Sequence, residues 1–144
     1  MSNEMPTDMK VKLKTLLIKH EKCENFPYVD TKSKITIGIG MNLTDRGVSN
    51  ECIDSWFNED ANGTYRQLMH KYAWFPESSI NRQIALIDMC WFGIKKFEEF
   101  TKTIAALEVH DYKTASNEIL NSEYRHQVGQ RAYDIAHTIL TDIL

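Results

Sequence analysis

Glu21-Lys-Cys-Glu-Asn-Phe-Pro-Tyr-Val-Asp30-Thr-Lys-Ser-Lys-Ile-Thr36-Ile-Gly-Ile-Gly40 is the stretch on which the reading of this chain turns. Glu21, Asp30 and Thr36 can do chemistry, and they fall at different kinds of structural position. Glu21 follows an amphipathic stretch, so it stands at the end of a helix. Asp30 closes a short extended run, Phe26 to Asp30, which Pro27 keeps out of helix. Thr36 lies in Lys34-Ile-Thr-Ile-Gly-Ile-Gly, whose β-branched alternation reads as a strand. Thr31 to Lys34 are polar and make a hairpin connection. A helix end and two hairpin arms can surround one small volume. That volume would hold two carboxylates and a hydroxyl, the set that hydrolyses a glycosidic bond with water.

Toward the N-terminus, residues 1–6 read as a loose tail. Thr7 is expected to cap a helix with Asp8 in its first turn. Met9, Leu13, Leu16 and Leu17 recur at helical spacing, with Lys10, Lys12, Lys14 and Lys19 outside. Toward the C-terminus, the β region runs to about Leu43 and Thr44-Asp-Arg-Gly47 is a turn. Ser49 caps a long helix of roughly residues 50–72, with an apolar face of Cys52, Ile53, Trp56, Phe57, Tyr65, Leu68 and Met69. Gly63 within it costs about 1 kcal/mol relative to Ala and marks a potential bend.

Trp74-Phe-Pro76 ends the long helix. Ser78 or Ser79 caps the next, whose face reads Ile84, Ile87, Cys90 and Trp91, and Gly93 stops it. Phe97, Phe100, Ile104 and Leu107 form a short helix. Asp111 caps another with Tyr112, Ala115 and Ile119 inward. A last helix spans roughly residues 129–140 with Ala132, Ile135, Ala136 and Ile139 inward. The pattern is a small hairpin lobe set early into a helical chain, an α+β class, and the seam between lobes is the natural place for a cleft.

At 144 residues, with 42% hydrophobic and 26% charged residues, one soluble globular domain is expected. The N-terminus has neither a basic n-region nor an apolar h-region, and no run is long enough to span a membrane. The chain is therefore expected in the cytoplasm, with Cys23, Cys52 and Cys90 as reduced thiols. A net charge of −3 gives no support for nucleic-acid binding. The five histidines show no metal-ligand spacing, so no metal or other cofactor is expected. Gly38-x-Gly40 lacks the third glycine or Lys-Ser/Thr of a phosphate loop. A nucleophilic Cys23 beside His20 has nothing to orient it.

The pattern Glu-x8-Asp-x5-Thr-Ile-Gly-x-Gly, with Tyr28 two before the Asp, resembles the catalytic signature of the phage T4-type lysozymes, glycoside hydrolase family 24. The resemblance implies one lysozyme-like domain over residues 1–144. Its β lobe would span about residues 21–48, and its helical lobe about residues 73–144 plus the helix at about residues 7–20. A long helix would join the two lobes. The likeness makes Glu21 the general acid, Asp30 the carboxylate that positions or activates water, and Thr36 the hydroxyl beside that water. Such enzymes invert at the anomeric carbon and cut the bond between N-acetylmuramic acid and N-acetylglucosamine.

The resemblance continues through Trp56-Phe-Asn-Glu-Asp60 and Phe100-Thr-Lys-Thr103 to Ser122, Gln127 and Gln130-Arg-Ala132. It implies Arg131 as the partner of Glu21, and Asn42, Trp91 and Thr103 at the sugar. For Trp91 and Phe92 a place in the core is the favoured reading over a sugar platform. The implied partner is bacterial peptidoglycan, with neither nucleic acid nor membrane, and the implied state a monomer. The implied role is host lysis: the enzyme waits in the host cytoplasm and reaches the cell wall once a membrane-permeabilising protein releases it.

The chain departs from the family at four places. Lys22 replaces the glycine after the acid. Met41 replaces the histidine after Ile-Gly-x-Gly, which leaves Asp60 without that ion pair. Tyr124 replaces a tryptophan, and the segment between Met41 and the long helix is shorter. A lytic transglycosylase is the alternative enzyme, but it needs no Asp-held water. A lysozyme-like binding or immunity protein without activity is the alternative class, and intact Glu21, Asp30 and Thr36 speak against it.

Overall fold

The computed structural model describes residues 3–144, with the side chain of Phe92 also outside the described residues. Of the loose tail read from the sequence, residues 1–2 lie outside the described residues, and residues 3–6 precede the first helix without regular structure. The chain is mixed helix and antiparallel sheet, an α+β arrangement. It divides into two compact units, Met1–Asp54 and Ser55–Leu144.

The first unit opens with α1, Thr7–Glu21. Asp8 stands in its first turn, but Thr7 is the first helical residue and Pro6 the cap, with no side-chain cap bond. Proline suits that boundary, because the helix start needs no N–H from it. No residue of α1 is buried, including the Met9, Leu13, Leu16 and Leu17 stripe expected to face inward. Within its own unit α1 meets the sheet region at its C-terminal end, where Glu21 lies beside Gly40.

Strands β1 (Glu24–Val29), β2 (Ile35–Gly38) and β3 (Met41–Asn42) pair antiparallel in the order β1-β2-β3. Pro27 lies in the irregular interval of the edge strand between Glu24 and Tyr28, where a missing amide hydrogen breaks no ladder bond. Tyr28, Thr36 and Asn42 stand opposite one another across the three strands. Of residues 44–47, expected as a turn, the first three belong to a short helix α2 (Leu43–Arg46). The Asn42 side chain caps it by accepting from the Asp45 amide at 3.0 Å, and Gly47 ends it at φ +65°.

Polar bonds tie this unit together. The Ile35 amide donates to Thr44 Oγ1 at 2.8 Å, and Lys34 Nζ reaches Asp45 at 2.9 Å. Thr36, at 3% exposure, is the one buried residue among those described in this unit.

Helix α3 runs Asn50–Lys71, and the division between units falls within it. Ser49 caps it as expected, accepting from the Cys52 amide at 3.2 Å. The helix continues through Gly63. Of its expected apolar face only Leu68 is buried.

In the second unit Trp74 and Phe75 are buried after α3, and Ser79 caps α4 (Ile80–Met89) by accepting from the Arg82 amide at 3.2 Å. The buried face of α4 is Ala85, Leu86 and Met89, continuing to Cys90. This corrects the expected face of Ile84, Ile87, Cys90 and Trp91: Ile84 and Trp91 are exposed, and Ile87 is half-buried against the core. A 3₁₀ turn at Cys90–Phe92 precedes Gly93, whose φ of +111° ends the segment.

The expected helix through Phe97 and Leu107 is two helices, α5 (Ile94–Glu98) and α6 (Thr101–Glu108), broken where Phe100 takes ψ 57°. Asp111 caps α7 (Tyr112–Leu120), its carboxylate accepting from the Thr114 amide at 3.1 Å. A short helix α8, Tyr124–Val128, was not expected from the sequence. The last helix, α9 (Gln130–Thr141), buries Ala132, Ile135, Ala136 and Ile139 as its periodicity predicts. It packs on α7 and α4, and Ser116 Oγ donates to Ala136 O at 2.9 Å.

Candidate functional site

The most ordered polar constellation of the first unit surrounds Asp30, at the mouth of the β1–β2 hairpin. The loop closes through the Asp30 amide donating to Lys34 O at 2.8 Å and the Ser33 amide donating to Asp30 O at 3.1 Å. Ser33 takes the left-handed conformation that this loop requires, at φ +62°. Asp30 Oδ1 accepts from the amides of Lys32 at 2.8 Å and Lys34 at 2.9 Å. Its other oxygen, Oδ2, faces Thr36 Oγ1 at 3.2 Å. The single proton of that hydroxyl can go to Asp30 or to Lys34 O at 3.3 Å.

These bonds hold the Asp30 carboxyl below its ordinary range. The Lys34 amide is the largest influence; partial burial opposes it, and the Lys32 amide, the Thr36 hydroxyl and the Lys32 charge add to it. Asp30 is therefore a fixed anion at neutral pH. One of its oxygens is committed to the loop, and the other is shared with a buried hydroxyl.

Glu21 is set by a different device. It is the last residue of α1, and Lys22 then turns the chain at φ +66° and ψ 177° while its amide bonds Ile18 O at 3.0 Å. That backbone region is populated almost only by glycine. Lys22 thus sits where the backbone itself favours glycine. The Glu21 side chain lies against Gly40, beyond the end of β2. A Cβ on Gly40 would come 2.9 Å from Glu21 Oε2 and 3.3 Å from Glu21 Cδ, and φ there is +64°. Gly40 is thus a glycine for two reasons, conformation and the proximity of this carboxylate. Within its own unit, and among the described residues, the Glu21 carboxylate has no hydrogen-bond partner.

Asn42 is part of the same sheet, opposite Thr36. Its side chain is engaged with Asp45 by both atoms, accepting from the amide and donating to Asp45 Oδ2 at 2.9 Å. It is a helix cap, and any contact with a ligand would compete with that bond.

The other expected site residues lie in the second unit. Trp91 is 40% exposed, and its ring stands 5.9 Å from that of Phe57. It lines a shallow hollow with Glu59, Asp60 and Gln67, so it is a surface aromatic and not a core residue. The expectation for Phe92 falls outside the described side chains. Thr103, expected at the sugar, is 1% exposed inside α6 and presents no surface to solvent. Ser122 donates to Ile119 O at 2.6 Å.

Arg131 engages Asp88, joining α9 to α4. Its Nε donates to Asp88 Oδ1 and its Nη2 to Asp88 O, both at 2.8 Å, and Nη2 also contacts Oδ1. The sequence reading did not foresee Asp88, because nothing in either helix's own pattern pairs α4 with α9. Among the described residues no group of three His, Cys, Asp or Glu could hold a metal ion. No helix among them is long and apolar enough to cross a membrane.

Compared with models of known protein families and with curated proteins, the chain matches none.

Proposed function

We propose that this chain is a peptidoglycan hydrolase with a lysozyme-like fold, of the T4-type kind that its catalytic-signature spacing resembles. The observation that carries the reading is the Asp30–Thr36 pair. A carboxylate held ionised by two backbone amides, with a hydroxyl 3.2 Å from its free oxygen, is equipped to orient a water molecule. Glu21, against Gly40, is the second carboxyl of the same unit. From Thr36 to Gly40 the chain advances four residues, at most about 14 Å when extended. That scale suits a sugar ring and a water between an acid and a base, which inverting enzymes hold roughly 6.5–9.5 Å apart.

In this mechanism Glu21 gives its proton to the leaving glycosidic oxygen. Asp30 takes a proton from water as that water attacks the anomeric carbon from the opposite face. Thr36 fixes the water's direction. The substrate is the bond between N-acetylmuramic acid and N-acetylglucosamine, and the product is a reducing end of inverted configuration. The role is bacterial host lysis by a monomer that waits in the host cytoplasm until a membrane-permeabilising protein releases it to the wall.

The test is cleavage of purified peptidoglycan, followed by turbidity and by the chemistry of the new ends. Wild-type protein should release reducing muramic ends. Glu21→Gln and Asp30→Asn should each lose at least about 10²-fold while remaining folded, since general acid–base help is typically worth about 10²–10⁴. Thr36→Val should lose less. Anhydro-muramic ends, or near-normal activity in Asp30→Asn, would replace hydrolysis by a transglycosylase. Failure of wild type on every wall tested would leave a binding protein.

A further inference from the structure

The hairpin of β1 and β2 shelters the wrong face for a hydrophobic fold. Along β1 and into the loop, Tyr28 and Asp30 are half-buried, while Val29 between them is 68% exposed. Along β2, Thr36 is buried, while Ile35 beside it is 50% exposed. Successive side chains of a strand point to opposite faces. The polar face is therefore the sheltered one, and the apolar pair, Val29 opposite Ile35, lies in the open. Apolar burial alone would favour the reverse. A local pattern set against its own hydrophobic preference is expected at functional sites.

Tyr28 is the member of that face that the proposed mechanism leaves unused. It stands directly opposite Thr36 and two residues before Asp30, so both are its same-face neighbours. The approach of Asp30 Oδ2 to Thr36 Oγ1 agrees with that placement. Directly opposite residues hold their Cβ atoms about 4.5–5.5 Å apart, which sets the Tyr28 ring against Thr36. Every other residue of β1 is exposed. The Tyr28 hydroxyl forms no hydrogen bond among the described residues and is not closed to solvent. On the other flank Asn42 also stands opposite Thr36, but Asp45 engages both polar atoms of its amide. The Thr36 hydroxyl has one proton and two acceptors at similar distance, Asp30 Oδ2 at 3.2 Å and Lys34 O at 3.3 Å. Distance does not choose between them, so the walls around Thr36 must.

We propose that Tyr28 is a positioning residue of the candidate site: its ring, set across the strands against Thr36, fixes the Thr36 side chain with its hydroxyl on Asp30. The effect on cleavage rests on the hydrolase reading. The geometry does not.

Magnetic resonance on the full chain tests the geometry. In wild type, Overhauser contacts should join the Tyr28 ring protons to the Thr36 methyl, and three-bond couplings at Thr36 should report one χ1 rotamer. In Tyr28→Ala those couplings should average between rotamers. The Lys32 and Lys34 amides should keep their exchange protection there, because their bonds to Asp30 Oδ1 are untouched. Tyr28→Phe keeps the ring and should restore the single rotamer. In peptidoglycan cleavage Tyr28→Ala should lower kcat by about 10²-fold with KM little changed, the loss that a misplacement of about 1 Å can cause. Tyr28→Phe should recover most of that loss. No Overhauser contact in wild type, or a single Thr36 rotamer in Tyr28→Ala, would overturn the proposal whatever the cleavage result. Equal losses in Tyr28→Phe and Tyr28→Ala would overturn it too, because the hydroxyl and not the ring would then act. Wild type that cuts no wall would remove the hydrolase reading and leave the rotamer test to decide. Should Tyr28→Ala fail to fold, the wild-type Overhauser contacts still decide.

Discussion

Replacing Gly40 by alanine separates two demands on one residue, and Gly38 provides the control. Both glycines hold left-handed φ, +63° at Gly38 and +64° at Gly40. An L-residue in that region costs roughly 1–2 kcal/mol. Alanine also loses less chain entropy than glycine on folding, which returns about 0.4–1 kcal/mol. Each variant should therefore lose about 1 kcal/mol from the backbone alone.

The neighbours differ. At Gly38 the added methyl meets Met41 Sδ at 3.1 Å, the flexible end of an exposed side chain. At Gly40 it meets Glu21 Oε2 at 2.9 Å and Glu21 Cβ at 3.3 Å. The carboxylate can swing aside cheaply, so stability suffers little more. Its position cannot be kept, and a misplacement of about 1 Å can cost about 10²-fold in rate. Urea unfolding should place the two variants within about 1 kcal/mol of each other. Peptidoglycan cleavage should fall about tenfold or more further in Gly40→Ala than in Gly38→Ala. In a Glu21→Ala background most of the extra stability cost at Gly40 should vanish, as a double-mutant cycle would register. Equal activity losses in the two glycine variants would refute the idea that Gly40 makes room for a working carboxylate.

Further expectations come from other parts of the chain. Lys22→Gly should stabilise the protein by about 1–2 kcal/mol, seen as a higher urea midpoint at unchanged slope, because it relieves a backbone state nearly reserved for glycine. The Asp30 carboxyl carbon should titrate with a midpoint below 3.8, and Thr36→Val should raise it. Because the folded pKa lies below the unfolded one, Asp30's contribution is present above pH 3.8 and is lost as pH falls through the folded value, so Asp30→Asn should flatten the acid limb of a stability curve. Cys90 is 2% exposed and burial pushes its thiol up to about 12, against 9.0 unperturbed. Its effect on stability has the opposite sense: intact below pH 9.0, and lost as pH rises toward about 12. Native thiol titration at neutral pH should find the exposed Cys23 reacting first and Cys90 only on unfolding.

The parts of the fold that were legible in the sequence share a feature: a local signal that no distant packing could overrule. Ser49, Ser79 and Asp111 cap their helices because each side chain satisfies an amide three residues on. Gly93 ends its helix because only glycine readily takes that φ. The hairpin around Asp30 was readable from Pro27 and the β-branched alternation. Other parts depended on partners. Helix α4 carries apolar residues on nearly every side, Ile84 and Ile87 among them, so periodicity could not choose its inward face. Packing on α9 chose Leu86 and Met89. Helix α8 is five residues of mostly polar side chains, and strand β3 is two residues; neither is long enough to show a period. Of the candidate site, the closeness of Asp30 and Thr36 was legible as spacing. The closeness of Gly40 to Glu21 was not, because it joins a helix end to a turn across eighteen intervening positions.

Asp30 also tests how a catalytic reading should be weighed against a purely structural one. An aspartate that accepts from the amides two and four residues ahead is a common way to close a loop, and it lowers the carboxyl pKa with no chemistry in view. Loop closure, however, uses only Oδ1. It offers no reason for Oδ2 to face a hydroxyl, nor for that hydroxyl to belong to the one buried residue among those described in its unit. A loop-closing carboxylate can be replaced by asparagine, whose side-chain oxygen accepts the same two amide bonds. A water-activating carboxylate cannot, because the amide is neutral and takes no proton. Asp30→Asn should therefore leave the hairpin amides of Lys32 and Lys34 protected from hydrogen exchange as in wild type. Its loss should appear in cleavage alone. Loss of amide protection in step with activity would return Asp30 to a structural role.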